Sequence, residues 1–250
     1  MKTEWDYSDL AVAYLKRPQY APQAIVAMLR TASISAGNQV CDVGAGVGHL
    51  TKLLLDNDLI VEAVEPNDSM RELGIVETKG KKVTWHEATG EDTKQASGKF
   101  DLVTFGSSFN VCDRQRALIE SARILKSDGW FACMWNHRLL SDPLQSSIEA
   151  AITRSIPEYS YGTRREDQFE VIENSNIFAR ITKISSRVAH RVETVEFIEA
   201  WRSHATLERQ AGKNFLSLVS KIEEICLAFD SEGFITVPYE TNLWMAQKSH

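Results

Sequence analysis

Between Val40 and Gly48 the chain passes from an apolar, strand-like stretch directly into a helix pattern through three alternating glycines, Val40-Cys41-Asp42-Val43-Gly44-Ala45-Gly46-Val47-Gly48. Glycine accepts positive φ and lets another group approach the backbone. The helix that follows has N–H groups with no partner inside the helix, and these face the loop. A tight strand–helix turn could use such a loop for packing alone. The residues downstream decide against that, because a carboxylate, Glu65, closes the next apolar run 19 positions after Gly46. That is about the ~20-residue separation at which an acidic side chain meets the ribose of a nucleotide lying on the glycine loop.

The rhythm around the loop sets the fold class. Apolar runs at 38–43, 59–64, 83–86, 100–105 and 130–135 read as strands. Helical patterns open at 50–55 and 68–73, and a longer one fills 114–125, with Leu118, Ala122 and Leu125 on one face. Strands alternating with helices build right-handed βαβ units and a mostly parallel sheet covered on both faces. The spacing therefore predicts a doubly wound, Rossmann-like α/β sandwich. After Asn136 the pattern changes. Residues 141–175 look helical around a polar, aromatic-containing loop, 181–192 alternate as a long strand, helices are expected near 194–203 and 212–229, and 235–246 close the chain as a strand.

Composition narrows the function classes. At 250 residues the chain suits one large domain with a substantial insertion, and 43% hydrophobic with 25% charged residues is ordinary for a globular protein. The net charge of −6 disfavours nucleic acid as a partner. No apolar run reaches the roughly 18 residues of a membrane span, and the first residues lack an apolar signal core, so no membrane partner is expected. Cys41, Cys112, Cys133 and Cys226 are scattered without paired spacing, which points to a reducing, cytoplasmic compartment. The six histidines show no metal-ligand spacing, and no metal site is expected.

Two cofactor classes use a glycine loop with an acidic partner. The dinucleotide fingerprint needs a glycine three positions after Gly46, and that position is His49. The chain instead resembles the class I S-adenosylmethionine-dependent methyltransferases, in particular their small-molecule branch. The resemblance is carried by Asp42-Val43-Gly44-Ala45-Gly46-Val47-Gly48, Val64-Glu65-Pro66-Asn67-Asp68-Ser69-Met70, Ala88-Thr89-Gly90-Glu91, Phe100-Asp101-Leu102-Val103-Thr104 and Ala122-Arg123-Ile124-Leu125-Lys126 with Gly129. It covers roughly residues 5–140. It implies a seven-stranded, mostly parallel sheet with an antiparallel last strand, 235–246 being its C-terminal edge element.

The same resemblance implies S-adenosylmethionine as cofactor. Asp42, Gly44, Ala45 and Gly46 would form its loop, Glu65 and Pro66 would meet the ribose, and Met70 would pack near the adenine. Thr89, Gly90 and Glu91 would lie beside the adenine, although Thr89 stands where many relatives carry an aspartate. Gly106 and Ser107 would line the sulfonium side, and Tyr14 and Arg17 belong to a segment that closes over the cofactor in relatives. Many relatives carry a His-Trp pair after the fourth strand, whereas this chain has Phe109-Asn110, so a base at that position is not expected.

The acceptor side is read from residue chemistry. Acceptors enter at the carboxyl ends of the strands, which brings in Asn110 and Arg138. A helical lid is expected over 141–175, in which Tyr161 and Arg164 suit a polar or anionic acceptor. A further helical segment at 194–229 carries Trp201. His137 and His204 are the candidate general bases. The expected function is methyl transfer to a small-molecule acceptor, mainly by proximity and orientation, within a single domain spanning 1–250. The alternatives are a non-catalytic cofactor-binding module, or a methyltransferase acting on protein or RNA.

Overall fold

A computed structural model of the chain describes residues 14–249, apart from the side chains of Arg164 and Ala205. Residues 5–13 of the span that resembles the methyltransferases lie outside the described residues, as does the side chain of Arg164. The chain forms two compact units. The first runs to Asn136 and also takes in Thr163–Ser186 and the residues from Thr241 on; the second comprises His137–Gly162 and Arg187–Glu240.

In chain order the elements are α1 (Pro22–Thr31), β1 (Gln39–Val43), α2 (His49–Leu55), β2 (Ile60–Val64), α3 (Asp68–Glu77), β3 (Val83–His86), β4 (Phe100–Gly106), α4 (Arg114–Ile124) and β5 (Leu125–Arg138). They continue as α5 (Pro143–Ser155), α6 (Phe169–Glu173), β6 (Phe178–Glu193), α7 (Thr194–Arg202), α8 (Ala205–Ala211), α9 (Phe215–Ala228) and β7 (Phe234–Lys248). The strands order as β3-β2-β1-β4-β5-β7-β6, with β7 antiparallel. β1 pairs in parallel with β2 on one side and β4 on the other, so the winding reverses between β1 and β4. A crevice at the carboxyl ends of those strands is where ligands bind in such sheets.

The sheet is buried on both faces, and the strand sequences show why. Along the strands of the first unit, Cys41, Val43, Val103, Phe105, Phe131, Cys133, Trp135 and Trp244 point into one core layer. Their neighbours Val40, Leu102, Ala132, Met134, Leu243 and Met245 point into the other. Successive side chains of a strand alternate faces, so an unbroken apolar run fills both layers at once. Phe131 anchors the first layer, with ring centroids 5.6, 5.3 and 5.5 Å from Phe105, Phe109 and Phe178. Each such fully buried ring stabilises the fold by about 1.5–3 kcal/mol. The second unit has its own core, in which Leu144, Ile148 and Ile152 of α5 meet Phe197 and Trp201 of α7 and Ile222 of α9.

Three expectations are corrected. The C-terminal strand is not an edge element: β7 lies between β5 and β6, and β6 takes the edge. Residues 241–246 are all buried, which requires cover on both faces, whereas β6 has no buried residue after Phe178. Helices 194–203 and 212–229 become three, because His204 caps a separate α8 and Gly212, at φ 53°, ends it. An additional helix, α1, precedes β1. Pro22 starts it and Ala24, Ile25, Met28 and Leu29 form its buried face. The segment 141–175 divides between the units, α5 in the second and α6 in the first. Among the described residues no helix is long and apolar enough to cross a membrane, and no group of three or more His, Cys, Asp or Glu is placed to hold a metal ion.

Candidate functional site

The glycine loop is tied to the end of β2 by its own backbone. The amides of Gly44 and Ala45 both donate to the Val64 carbonyl, at 2.8 and 3.0 Å, and the Gly46 amide donates to Glu65 Oε2 at 2.8 Å. Parallel register makes this possible, since Val43 pairs with Val64 and both strands end together. Two glycines meet different demands. At Gly44 (φ 65°) an added Cβ would stand 2.4 Å from Ser108 Cβ, so only glycine lets the end of β4 come this close. Ser108 holds the approach by donating to the Val43 carbonyl at 2.6 Å. At Gly46 (φ 58°) a Cβ would meet nothing within 4 Å among the described residues. Among those residues the space beside Gly46 is open, and Ala45 next to it is half-buried.

Below the loop, Asp42 is fully enclosed and accepts from Thr51 Oγ1 at 2.6 Å and Thr104 Oγ1 at 2.9 Å. Burial pushes its carboxyl up to about 6 against the pull of those hydroxyls. Asp42 ties β1 to α2 and β4 and has no surface to offer a ligand in this structure. Glu65 is likewise buried, with Oε1 accepting from the Asn67 amide at 2.8 Å. Burial holds its carboxyl above the ordinary glutamate range despite the two amides and Arg71. A carboxylate has about four acceptor positions, so each Glu65 oxygen keeps one for a further donor. Pro66 follows half-buried, and Asn67 caps α3 by accepting from the Met70 amide at 3.0 Å. That cap fixes Met70, which packs on Val47 with Tyr14, Leu15 and Leu73 alongside.

The remaining first-unit candidates surround this centre. Thr89 exchanges backbone hydrogen bonds with Asp92, and Glu91 Oε1 accepts from the Asp113 amide at 2.8 Å, which docks 88–91 on the start of α4. Gly90 lies so close to Cys112 Sγ that a Cβ would be 2.6 Å away. Ser107 is held at φ 59°, a strained value for a residue with a side chain, by a 2.8 Å bond from its amide to the Met134 carbonyl. Gly106 lies where a Cβ would be 3.1 Å from Tyr20 Oη. The Arg17 guanidinium lies 3.5 Å over the Tyr14 ring. Asn110 uses its side-chain oxygen to accept from Trp135 Nε1 at 3.0 Å.

Three first-unit residues outside the sequence-derived set also belong here. Tyr20 Oη lies 2.8 Å from Ser107 Oγ, and burial pushes its phenol up to about 12, so it stays protonated. His49 Nε2 donates to the Tyr14 carbonyl at 2.6 Å, which fixes the tautomer and leaves Nδ1 as a buried acceptor with no partner among the described residues. Asn136 Nδ2 donates to the carbonyls of Pro18 and Gln19 at 3.2 and 2.7 Å, while its Oδ1 accepts from Thr241 Oγ1. The signal for Tyr20 and His49 was their place in the closing segment and directly after the glycine loop. Their partners are far away in sequence, and no local pattern reveals them.

In the second unit, His137 and Arg138 are the last residues of β5 rather than residues beyond it. Arg138 stacks over Trp201 with its guanidinium 4.2 Å from the ring, and Trp201 stacks on His204 at 5.4 Å. His204 Nδ1 caps α8 by accepting from the Leu207 amide at 3.1 Å. Tyr161 donates its hydroxyl to Glu149 of α5. The structure thus groups Arg138, Trp201 and His204, and seats Tyr161 on α5.

A doubly wound sheet of this order, with a glycine loop at the switch point and a carboxylate closing β2, defines a class I methyltransferase fold. Residues 41–133 match the family model described as "Methyltransferase domain". Over 122 residues the chain is 32% identical to an uncharacterized methyltransferase of Mycobacterium tuberculosis, covering 49% of this chain and 48% of that protein. Over 153 residues it is 28% identical to the uncharacterized methyltransferase YcgJ of Bacillus subtilis, covering 58% of each. The chain therefore spans about half the length of the curated relatives it matches. The crystal structure of YcgJ superposes with a TM-score of 0.55 at 19% identity, over 92% of this chain and 100% of that one. Phosphoethanolamine N-methyltransferase 2 of Haemonchus contortus, solved with phosphomonomethylethanolamine and S-adenosylhomocysteine, superposes with a TM-score of 0.52 at 16% identity, over 91% and 52%. At these identities the two structures share the fold.

Proposed function

We propose that this protein transfers a methyl group from S-adenosylmethionine to a small-molecule acceptor. The observation that carries the proposal is the open space beside Gly46 with the Glu65 carboxylate bound to the same loop. It is a cradle that a side chain would fill, and it stands next to an anion able to accept two hydroxyl donors. The cofactor supplies an already activated methyl on a sulfonium. The chain's own work is then to hold, orient and exclude water, and proximity can supply much of the acceleration.

In this reading Gly44 to Gly46 hold the methionine portion, Glu65 with Pro66 grips the ribose, and Met70 packs by the adenine against 89–91. Gly106 and Ser107 line the sulfonium side, with Tyr20 fixing Ser107. Tyr14 and Arg17 close the site, and the Tyr14 carbonyl is held by His49. Asn110, Arg138, Tyr161, Arg164 and Trp201 serve the acceptor, which is polar or anionic. His137 takes the proton of a hydroxyl acceptor, and the segment 141–175 acts as a lid. Buried free thiols at Cys41, Cys133 and Cys226 suit a reducing, cytoplasmic compartment.

Titration calorimetry with S-adenosylmethionine, S-adenosylhomocysteine and NAD tests the assignment. Both sulfur compounds are expected to bind and NAD to give no heat. A response to NAD with none to either sulfur compound would overturn it.

Glu65 adds a pH signature. Its ionised form accepts the ribose hydroxyls, and burial raises its pKa. Cofactor affinity is therefore lost as pH falls through that raised value, starting above the range of an ordinary glutamate. For the fold the sign is opposite, since a raised carboxyl pKa means stability is lost as pH rises through it. Glu65→Gln keeps the shape but loses the charge. A charge-assisted hydrogen bond contributes about 1.5–3 kcal/mol, so affinity should drop about tenfold to a hundredfold and its acid-dependent limb should flatten. Unchanged S-adenosylhomocysteine affinity in folded Glu65→Gln would move the ribose site elsewhere.

A further inference from the structure

Asn136 of β5 meets the stretch before α1 with both ends of its side chain. Its Nδ2 donates to the Pro18 and Gln19 carbonyls at 3.2 and 2.7 Å, and its Oδ1 accepts from Thr241 Oγ1 at 2.5 Å. The Thr241 hydroxyl in turn accepts from the Ala21 amide at 2.7 Å. Residues 18–21 lie in no helix or strand of their own. Backbone groups in such a stretch need partners from elsewhere, and here one side-chain amide from β5 and one hydroxyl from β7 supply them. The network also fixes which way the Asn136 amide faces, since only Nδ2 can serve two carbonyls. Thr241 is fully buried and Asn136 half-buried.

The gripped stretch is one end of a strap. From Tyr14 to Tyr20 the chain passes over the carboxyl ends of β1, β4 and β5, all within the first unit. At its start the Tyr14 carbonyl accepts from His49, directly after the glycine loop, and Tyr14 and Leu15 lie against Val47 and Met70. At its finish the Tyr20 hydroxyl lies 2.8 Å from Ser107 Oγ, just past β4. Between those points Asn136 holds Pro18 and Gln19 near the end of β5. The strap therefore crosses the switch point between β1 and β4, where ligands bind in such sheets.

We infer that Asn136 and Thr241 are positioning residues for the cofactor site, clamping Pro18–Ala21 so that the strap is held closed over the switch point. This deepens the S-adenosylmethionine reading above and rests on it. Neither residue is assigned a contact with the cofactor. Both act through the strap's backbone and through Tyr20, whose hydroxyl sets Ser107. A site whose competent form is only fractionally populated binds with an affinity reduced by that fraction. Releasing the clamp takes the partners from the Pro18 and Gln19 carbonyls and the Ala21 amide, so the strap samples open states and affinity falls with every pocket residue unchanged.

The test is calorimetry with S-adenosylhomocysteine on the full chain, beside hydrogen exchange at the Arg17 amide. That amide donates to the Tyr14 carbonyl and lies outside the clamp, so its protection reports the strap rather than the substituted residue. Thr241→Val keeps the side chain's shape and loses its hydroxyl, Thr241→Ser keeps the hydroxyl, and Asn136→Asp keeps the shape and loses both donors. Thr241→Val and Asn136→Asp should each lose about tenfold in affinity. Each should also exchange faster at Arg17, with protection restored by saturating S-adenosylhomocysteine. Thr241→Ser should bind as the unaltered chain does. Because the two residues act as one clamp, the double variant should lose no more than Asn136→Asp alone. Thermal unfolding identifies the folded variants, and Asn136→Asp, at a half-buried position, decides by itself should Thr241→Val not fold. Unchanged affinity in either folded variant, an equal loss in Thr241→Ser, additive losses in the double variant, or lost affinity with Arg17 protection unchanged overturns the inference. Failure of the unaltered chain to bind S-adenosylhomocysteine overturns the cofactor reading and the inference with it, so calorimetry on the unaltered chain tells the two failures apart.

Discussion

Gly46→Val is expected to leave a folded protein that has lost at least about a hundredfold in affinity for S-adenosylhomocysteine. Two effects add. A β-branched residue at φ 58° is strained by roughly 1–3 kcal/mol, so the loop relaxes and the Gly46 amide leaves Glu65. The valine methyls then occupy space that is empty in this structure, where the proposed cofactor would lie. Because no atom of the described residues beyond the two chain neighbours lies within 4 Å of the new Cβ, the core itself is not forced apart. Gly44→Val is the informative contrast, since its Cβ would collide with Ser108 and the damage should appear as lost folding. Calorimetry beside thermal unfolding separates the two. A Gly46→Val protein that binds within threefold of the unaltered chain would show that this space is not the cofactor's.

The second large effect concerns proton removal. With a hydroxyl acceptor, His137→Ala should slow single-turnover transfer by about 10²–10⁴-fold and remove the acidic limb of the pH profile. The sign follows from the chemistry. A base acts in its neutral form, so the rate falls as acid protonates the imidazole, and the variant no longer shows the fall. His204→Ala should behave differently. Its Nδ1 holds the first turn of α8 and its ring is stacked on Trp201, so the loss should be a cap, about 0.5–2 kcal/mol of stability, with near-normal transfer. Near-normal rates and unchanged profiles in both variants would leave proximity as the whole mechanism.

Much of the first unit was legible because its signals are local. β3 lies where the sequence placed it, at 83–86, and β1, β2 and β4 start or end within one residue of expectation. The glycine loop, the capping Asn67 and the helix from Arg114 each depend on neighbours a few positions away. Local signals gave out where one pattern has two solutions. The helix before β1 carries Ile25, Met28 and Leu29 on its buried face and lies outside the strand–helix alternation that set the fold class. The run 125–129 ahead of Trp130 joins β5 through pairing with β4, which no property of Lys126 to Gly129 announces.

What the sequence determined by itself is the make-up of the glycine loop and the two-faced burial of the sheet. Both follow from residue type and spacing, through glycine's freedom at Gly46, the carboxylate at Glu65 and apolar runs that must be covered on both sides. What only the tertiary structure decided is which groups meet. It places β7 between β5 and β6, directs Asp42 to Thr51 and Thr104, sets Tyr20 against Ser107, and turns His204 into a helix cap. Each of these depends on which atoms meet in space. A hydrogen bond forms only within about 3.5 Å and at a narrow range of angles, and spacing along a chain does not contain that distance until the chain has folded.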